Sequence, residues 1–300
     1  MTPVTSGILL VDKPQQITSH GVVGRVRRLA GTRKVGHAGT LDPMATGLLV
    51  IGIGTSTRLL HHMVGLDKRY EATIRLGVAT VTDDAEGEVV RAADPARVAA
   101  VPAAAIEAGV RALTGPIEQV PSAVSAIKVD GRRAYDRVRS GEDVELAARA
   151  VTVHAFEVEA ERRGEGWIDL DVVVDCSSGT YIRALARDLG AGLGVGGHLT
   201  RLRRTRVGPF DVADAVVLAD DTDVPGALIA PADAASRVLP RVDVDAVQAT
   251  DLGHGKRVAI DPGARGPFAA VDPVGRLVAI VERRGGALAV VTGFPAEEAP

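Results

Sequence analysis

Cysteine is almost missing from this chain of 300 residues: Cys176 stands alone. A single thiol closes no intramolecular disulfide, and no Cys/His grouping has the spacing of a zinc site. Aromatic residues are also scarce, at 3%, so each Tyr, Phe and Trp can be weighed individually. No run approaches the ~20 apolar residues of a membrane span, and no basic segment leads into an apolar one at the N-terminus. The expected compartment is therefore the cytoplasm, with no membrane partner. A nucleotide-binding fingerprint is lacking too. Gly52-Ile53-Gly54-Thr55-Ser56-Thr57 has neither the lysine nor the spacing of a phosphate loop, and reads as a strand-to-helix turn with a Ser/Thr cap. No internal repeat is present.

What the chain does have is an ordinary apolar content of 46%, enough to bury a sizeable core. Net charge is only −3, but it is unevenly spread. Residues 1–210 carry 27 Lys and Arg against 24 Asp and Glu, whereas residues 211–300 carry 8 against 14. Three basic clusters lie in the first part: Arg25, Arg27, Arg28, Arg33 and Lys34; Arg132, Arg133, Arg137 and Arg139; and Arg201, Arg203, Arg204 and Arg206. Each alone reads as a solvated face. Three together make a polyanion partner an expectation.

Apolar periodicity predicts a strand at 7–11 and a helix beginning at Thr18 or Ser19. Further strands are predicted at 48–53, 68–76 and 88–91, with an acidic turn at 83–88. A helix should run from Pro102 to Leu113. Residues 151–161 and 167–174 alternate and should form a hairpin. A helix with Ile182, Leu185, Ala186 and Leu189 on one face follows Thr180, then a strand at 199–207. Residues 118–148 keep neither period and read as a basic insertion, helix-like at 132–140. Residues 211–240 read as a surface linker. The last 60 residues, 241–300, should be a small β-rich domain with a helix at 244–252 and strands at 256–260, 267–271, 276–282 and 287–292. The domains expected are thus 1–240 and 241–300.

One stretch concentrates unusual chemistry: Gly36-His37-Ala38-Gly39-Thr40-Leu41-Asp42-Pro43-Met44-Ala45-Thr46-Gly47. Asp42 is its single carboxylate. Pro43 restricts Asp42 to extended backbone, and the glycines permit conformations closed to other residues. A stiff, non-repetitive loop holding one acid is either a turn that caps its own amides or a reactive site.

This stretch, together with Val11-Asp12-Lys13-Pro14 and the run from Cys176 through Gly190 that includes Thr180-Tyr181-Ile182-Arg183, resembles bacterial tRNA pseudouridine-55 synthases of the TruB type. The three motifs occur in that family's order and spacing over residues 7–210, with Lys68-Arg69-Tyr70 and Leu202-Arg203-Arg204 also in place. The resemblance implies an α+β fold, a mixed and mainly antiparallel sheet flanked by helices, with a PUA-like C-terminal domain. It makes 118–148 a thumb that closes over RNA. It implies Asp42 as the catalytic acid, Arg183 as its cationic partner and Tyr70 as the ring beside the uracil. It places Tyr181 and Leu202 in the pocket wall, His37 against the RNA loop and Lys13 in support. The implied partner is tRNA, at its T-loop and elbow, and the implied product is pseudouridine-55. No cofactor and no metal are expected, and the protein is taken as a monomer that also assists tRNA folding.

Pseudouridylation breaks the uracil N1–C1′ bond, turns the base and joins C5 to C1′. It needs one well-placed carboxylate rather than a redox group. A stacked uridine must first leave its stack, at a cost of a few kcal/mol. Two rivals compete with this reading. A non-catalytic RNA-binding protein would keep the scaffold without needing Asp42. A glycoside or nucleoside hydrolase would want a second carboxylate near Asp42, and Asp175 and Asp188 only flank the motif. A pseudouridine synthase acting on another RNA is the nearest variant of the main reading.

Overall fold

The computed structural model describes residues 6–122, 128–129, 132–133 and 147–295. Most of the expected insertion, including the helix-like stretch at 134–140, lies outside the described residues. In chain order the elements used below are β1 (Gly7–Lys13), α1 (Ser19–Leu29), β2 (Val35–Ala38), β3 (Thr46–Ile53), α2 (Leu60–Val64), β4 (Lys68–Leu76), β5 (Val78–Thr80), β6 (Val89–Ala92), α3 (Pro95–Ala99), α4 (Ala103–Ala112), β7 (Gly115–Gln119), β8 (Lys128–Val129), β9 (Arg132–Arg133), β10 (Arg149–Gly164), β11 (Trp167–Cys176), α5 (Ile182–Gly192), β12 (Gly197–Val207), β13 (Phe210–Asp211), α6 (Pro231–Val238), β14 (Arg241–Asp243), α7 (Ala246–Gly253), β15 (Phe268–Val271), β16 (Leu277–Arg284) and β17 (Ala287–Gly293). The chain forms two compact units, one from residues 1–43, 47–65 and 207–300, the other from 44–46 and 66–206.

In the first unit β3 pairs antiparallel with both β1 and β2. Its run of apolar residues is buried nearly throughout. That suits a strand covered on both faces, where alternation is lost. α1 begins at Thr18, whose hydroxyl accepts from Gly21 N. Its buried face, Val22, Val23 and Val26, joins Leu9, Val11, Val35, Leu49, Ile51 and Ile53 in one core. The segment expected to be a linker is part of this core. Leu218 and Val224 are buried in it, and Ile229 and Val216 bond the main chain of β1 (Ile8 N to Ile229 O, 2.9 Å; Asp12 N to Val216 O, 3.0 Å). Its Ala, Asp and Pro composition hides this because the packing residues are widely spaced and keep no period. The C-terminal part is a four-stranded sheet in the order β14-β15-β16-β17. α7 opens with a capping box of Asp245 and Gln248. The strand expected at 256–260 is not formed; Val258 alone bridges to Leu288.

In the second unit the strands are hydrogen-bonded in the order β12-β4-β11-β10-β7. β4, β11, β10 and β7 run antiparallel in succession. α5 and α4 pack together so closely that a Cβ on Gly109 would come within 2.6 Å of the Leu189 side chain. The small pairs β5–β6 and β8–β9 are separate two-stranded sheets. The fold is thus the expected α+β type. Two local expectations differ. α3, capped by Asp94, was too short to show a period. The turn after β3 is a 3₁₀ helix, Gly54–Leu59, without a side-chain cap; the Ser6 hydroxyl takes the Thr55 N–H instead, at 2.9 Å.

Candidate active site

The Asp42 loop is held from both sides. Gly39 and Gly47, at φ +86° and +99°, bracket it, and only glycine takes such angles without strain. Before Asp42, the buried Ser19 hydroxyl donates to Leu41 O at 3.0 Å and accepts from Leu41 N at 2.9 Å. After it, Pro43 O accepts from Gln16 N at 2.8 Å and from Lys13 Nζ at 3.2 Å. Lys13 is fully buried at the end of β1. Its ammonium also donates to Pro14 O at 3.0 Å and Ile17 O at 2.8 Å. A buried ammonium needs such partners; here they tie the loop to the α1 approach. Leu41, Met44 and Ala45 are buried, and Asp42 between them is half-buried. The residues on either side of Asp42 are bonded by Ser19, Gln16 and Lys13, which lie far away in sequence. His37, on β2, is half-buried and meets the His20 ring edge-on at 5.5 Å.

The second unit carries Tyr70, Tyr181, Arg183 and Leu202. Tyr70 lies on β4 opposite Val174 and is buried, as is Leu202 on β12. Tyr181 caps the N-terminus of α5, which places Arg183 in the first turn. Arg183 is only 4% exposed. It donates to Thr82 O at 2.8 Å and stands 3.5 Å from an Asp84 carboxylate oxygen. One turn on, Arg187 reaches Asp83 at 3.2 Å, Asp188 at 2.8 Å and Val120 O at 2.7 Å. The segment expected as an acidic turn is buried at Asp83 and Asp84, where it answers two arginines. Burial pushes the Asp83 carboxyl up, against the pull of Arg187 and Arg183. Asp84 beside Arg183, Ser19 on Leu41 and Gln119 on Tyr181 are contacts that the sequence did not reveal. Gln119 ends β7, and its amide bonds both main-chain groups of Tyr181.

The basic clusters differ in what they offer. Arg204 is 1% exposed, Arg206 pairs with Asp175 at 2.5 Å and Arg201 with Glu71 at 3.4 Å. In that cluster Arg204 is thus withdrawn from solvent, whereas Arg201 stays exposed. In the first cluster Arg25 pairs with Asp220 and Arg27 bonds Val35 O, and Arg27, Arg28, Arg33 and Lys34 are exposed. The second cluster falls mainly outside the described residues. Among the described residues no group of His, Cys, Asp and Glu is placed to hold a metal ion, and no helix is long and apolar enough to cross a membrane.

Comparison with known proteins assigns the class. The model described as "TruB family pseudouridylate synthase (N terminal domain)" matches residues 27–182, so the architecture is that of a pseudouridylate synthase. Two further models follow it along the chain: "tRNA pseudouridylate synthase B C-terminal domain" over 183–235 and "tRNA Pseudouridine synthase II, C terminal" over 239–295. The chain belongs to the TruB family. A relative from Leifsonia xyli subsp. xyli, named tRNA pseudouridine synthase B, is 61% identical over 302 residues, covering 99% of each chain. One of the same name from Thermobifida fusca is 53% identical, covering 97% of this chain and 99% of its own. Among solved structures, a chain of a Cbf5-Nop10-Gar1 complex superposes with a TM-score of 0.71 at 25% identity, covering 97% of this chain and 86% of that one.

Proposed function

We propose that this tRNA pseudouridine synthase isomerises uridine-55, in the T-loop, with Asp42 as the reacting carboxylate. The observation that carries the reading is the loop around Asp42, bonded on both sides by Ser19, Gln16 and Lys13 while Asp42 itself is only half-buried. Preorganised placement of a catalytic group is where much of an enzyme's rate originates.

The isomerisation exchanges one glycosidic bond for another. N1–C1′ breaks, the uracil turns, C5–C1′ forms, the proton on C5 leaves and N1 gains one. Asp42 engages the base or the ribose while the two are separated. Arg183 supports its negative charge, in keeping with the fixed fork of a guanidinium. Tyr70 stacks on the uracil, and Tyr181 and Leu202 line the pocket. His37 contacts the RNA loop, with Arg28, Arg33 and Lys34 available to phosphates. Lys13 holds the loop. The C-terminal sheet is read as PUA-like and the protein as a monomer.

The test is to incubate tRNA transcripts with the pure protein and map pseudouridine. The wild type converts uridine-55 without added cofactor or metal, and Asp42→Ala does not. Product at another position refutes the substrate assignment, and conversion by Asp42→Ala refutes the role of the acid.

A further inference from the structure

Gln119 is the last residue of β7 and is 2% exposed. Its side chain spends both halves of its amide on one residue. Oε1 accepts from Tyr181 N at 2.8 Å, and Nε2 donates to Tyr181 O at 3.1 Å. Tyr181 is the N-cap of α5 and has no side-chain cap of its own. Tyrosine brings no oxygen that can reach the first-turn amides, unlike the residues that favour this position. Gln119 therefore takes over the anchoring of the helix start from 62 residues away. The adjoining Val120 O accepts from Arg187, on the next turn of the same helix. The end of β7 is thus joined to α5 at two successive residues.

We propose that Gln119 is a positioning residue for pseudouridine formation: by gripping both main-chain groups of Tyr181 it sets the direction of the tyrosine ring and, two residues on, of Arg183. The proposal rests on the reading of Tyr181 as pocket wall. It makes a chemical demand that simple packing does not. The position-119 side chain must present one acceptor and one donor at once, as a primary amide does and an ionised carboxylate does not. A protonated carboxyl does.

The experiment measures single-turnover pseudouridine formation and tRNA binding for Gln119→Leu, Gln119→Glu, Tyr181→Ala and the double variant Gln119→Leu/Tyr181→Ala, with thermal melts for each. Gln119→Leu keeps the volume and loses both bonds; its rate should fall roughly 10- to 100-fold, the scale of a small misplacement, with tRNA affinity within about twofold of wild type. Gln119→Glu can grip only when protonated, and burial raises its pKa. Its rate relative to wild type should climb as pH falls from 8.5 to 6, while that of Gln119→Leu stays flat. Gln119→Leu should slow the Tyr181→Ala background by a smaller factor than it slows wild type, because only its effect on Arg183 remains there, as for two residues acting through one another. A wild-type rate in Gln119→Leu, a proportional loss of affinity, or a flat ratio for Gln119→Glu overturns the proposal. A wild-type rate in Tyr181→Ala refutes the pocket reading instead. Should Gln119→Leu fail to fold, the pH ratio of the near-isosteric Gln119→Glu decides alone.

Discussion

Lys68 and Cys176 face each other across β4 and β11, both buried. Burial pushes the thiol up to about 11. It pulls the Lys68 ammonium from 10.5 down to about 8, with the buried Arg204 adding to the effect. The sign of the resulting stability dependence follows from proton counting. Between about 8 and 10.5 the unfolded chain keeps the Lys68 proton and the folded chain releases it. Stability from this group therefore rises with pH through that window, and below it the buried charge exerts its full cost. Lys68→Met removes the charge at every pH. Its unfolding free energy relative to wild type should fall steadily when urea titrations are compared at pH 7, 8.5 and 10. A relative unfolding free energy that rises with pH would contradict the assignment. Asp42 was singled out from its neighbours Gly39, Pro43 and Gly47, all within five residues, so its environment could be read locally. The buried acids Asp83 and Asp84 could not be, because their partners Arg183 and Arg187 lie about 100 residues away.

At the level of elements, α5 shows how one position decides a packing. A Cβ on Gly190 would lie 2.2 Å from Gly196 C and Gly197 N. Those are main-chain atoms, and Gly190 O already accepts from Val195 N and Gly196 N, so nothing can move aside. Gly190→Ala should cost about 3 kcal/mol or more. Gly192, two residues on, has nothing within 4 Å of its would-be Cβ; Gly192→Ala should be neutral or stabilise by up to about 1 kcal/mol. Denaturant midpoints of the two variants, measured side by side, check this, and equal effects would reject the packing account. The apolar face of α5 and the span of β4 were both legible from period alone. What anchors the helix start at Tyr181 was not, because Gln119 belongs to another element.

Across the whole molecule, the first unit is discontinuous, closed by residues that return after the second unit is complete. β1 depends on Val216 and Ile229 for main-chain partners, and its core on Leu218 and Val224. A chain ending at 240 keeps all four; one ending at 209 loses them. The first should remain soluble with a cooperative melt and the second should not, a difference that circular dichroism and limited proteolysis would record. A cooperative melt in the shorter chain would mean that residues 210–240 are the surface linker their composition suggested.

The sequence by itself determined the class of fold, most strands and helices, and the loop around Asp42 as the stretch of unusual chemistry. Those features rest on hydrophobic period, turn residues and short motifs, all of which act between near neighbours along the chain. Tertiary structure alone decided that Ser19 and Lys13 brace the Asp42 loop, that Arg204 is buried rather than open to RNA, that Asp83 and Asp84 face arginines, and that Gln119 grips Tyr181. Each of these is a polar group withdrawn from water, whose partner is fixed by where the backbone places it and not by its neighbours in sequence.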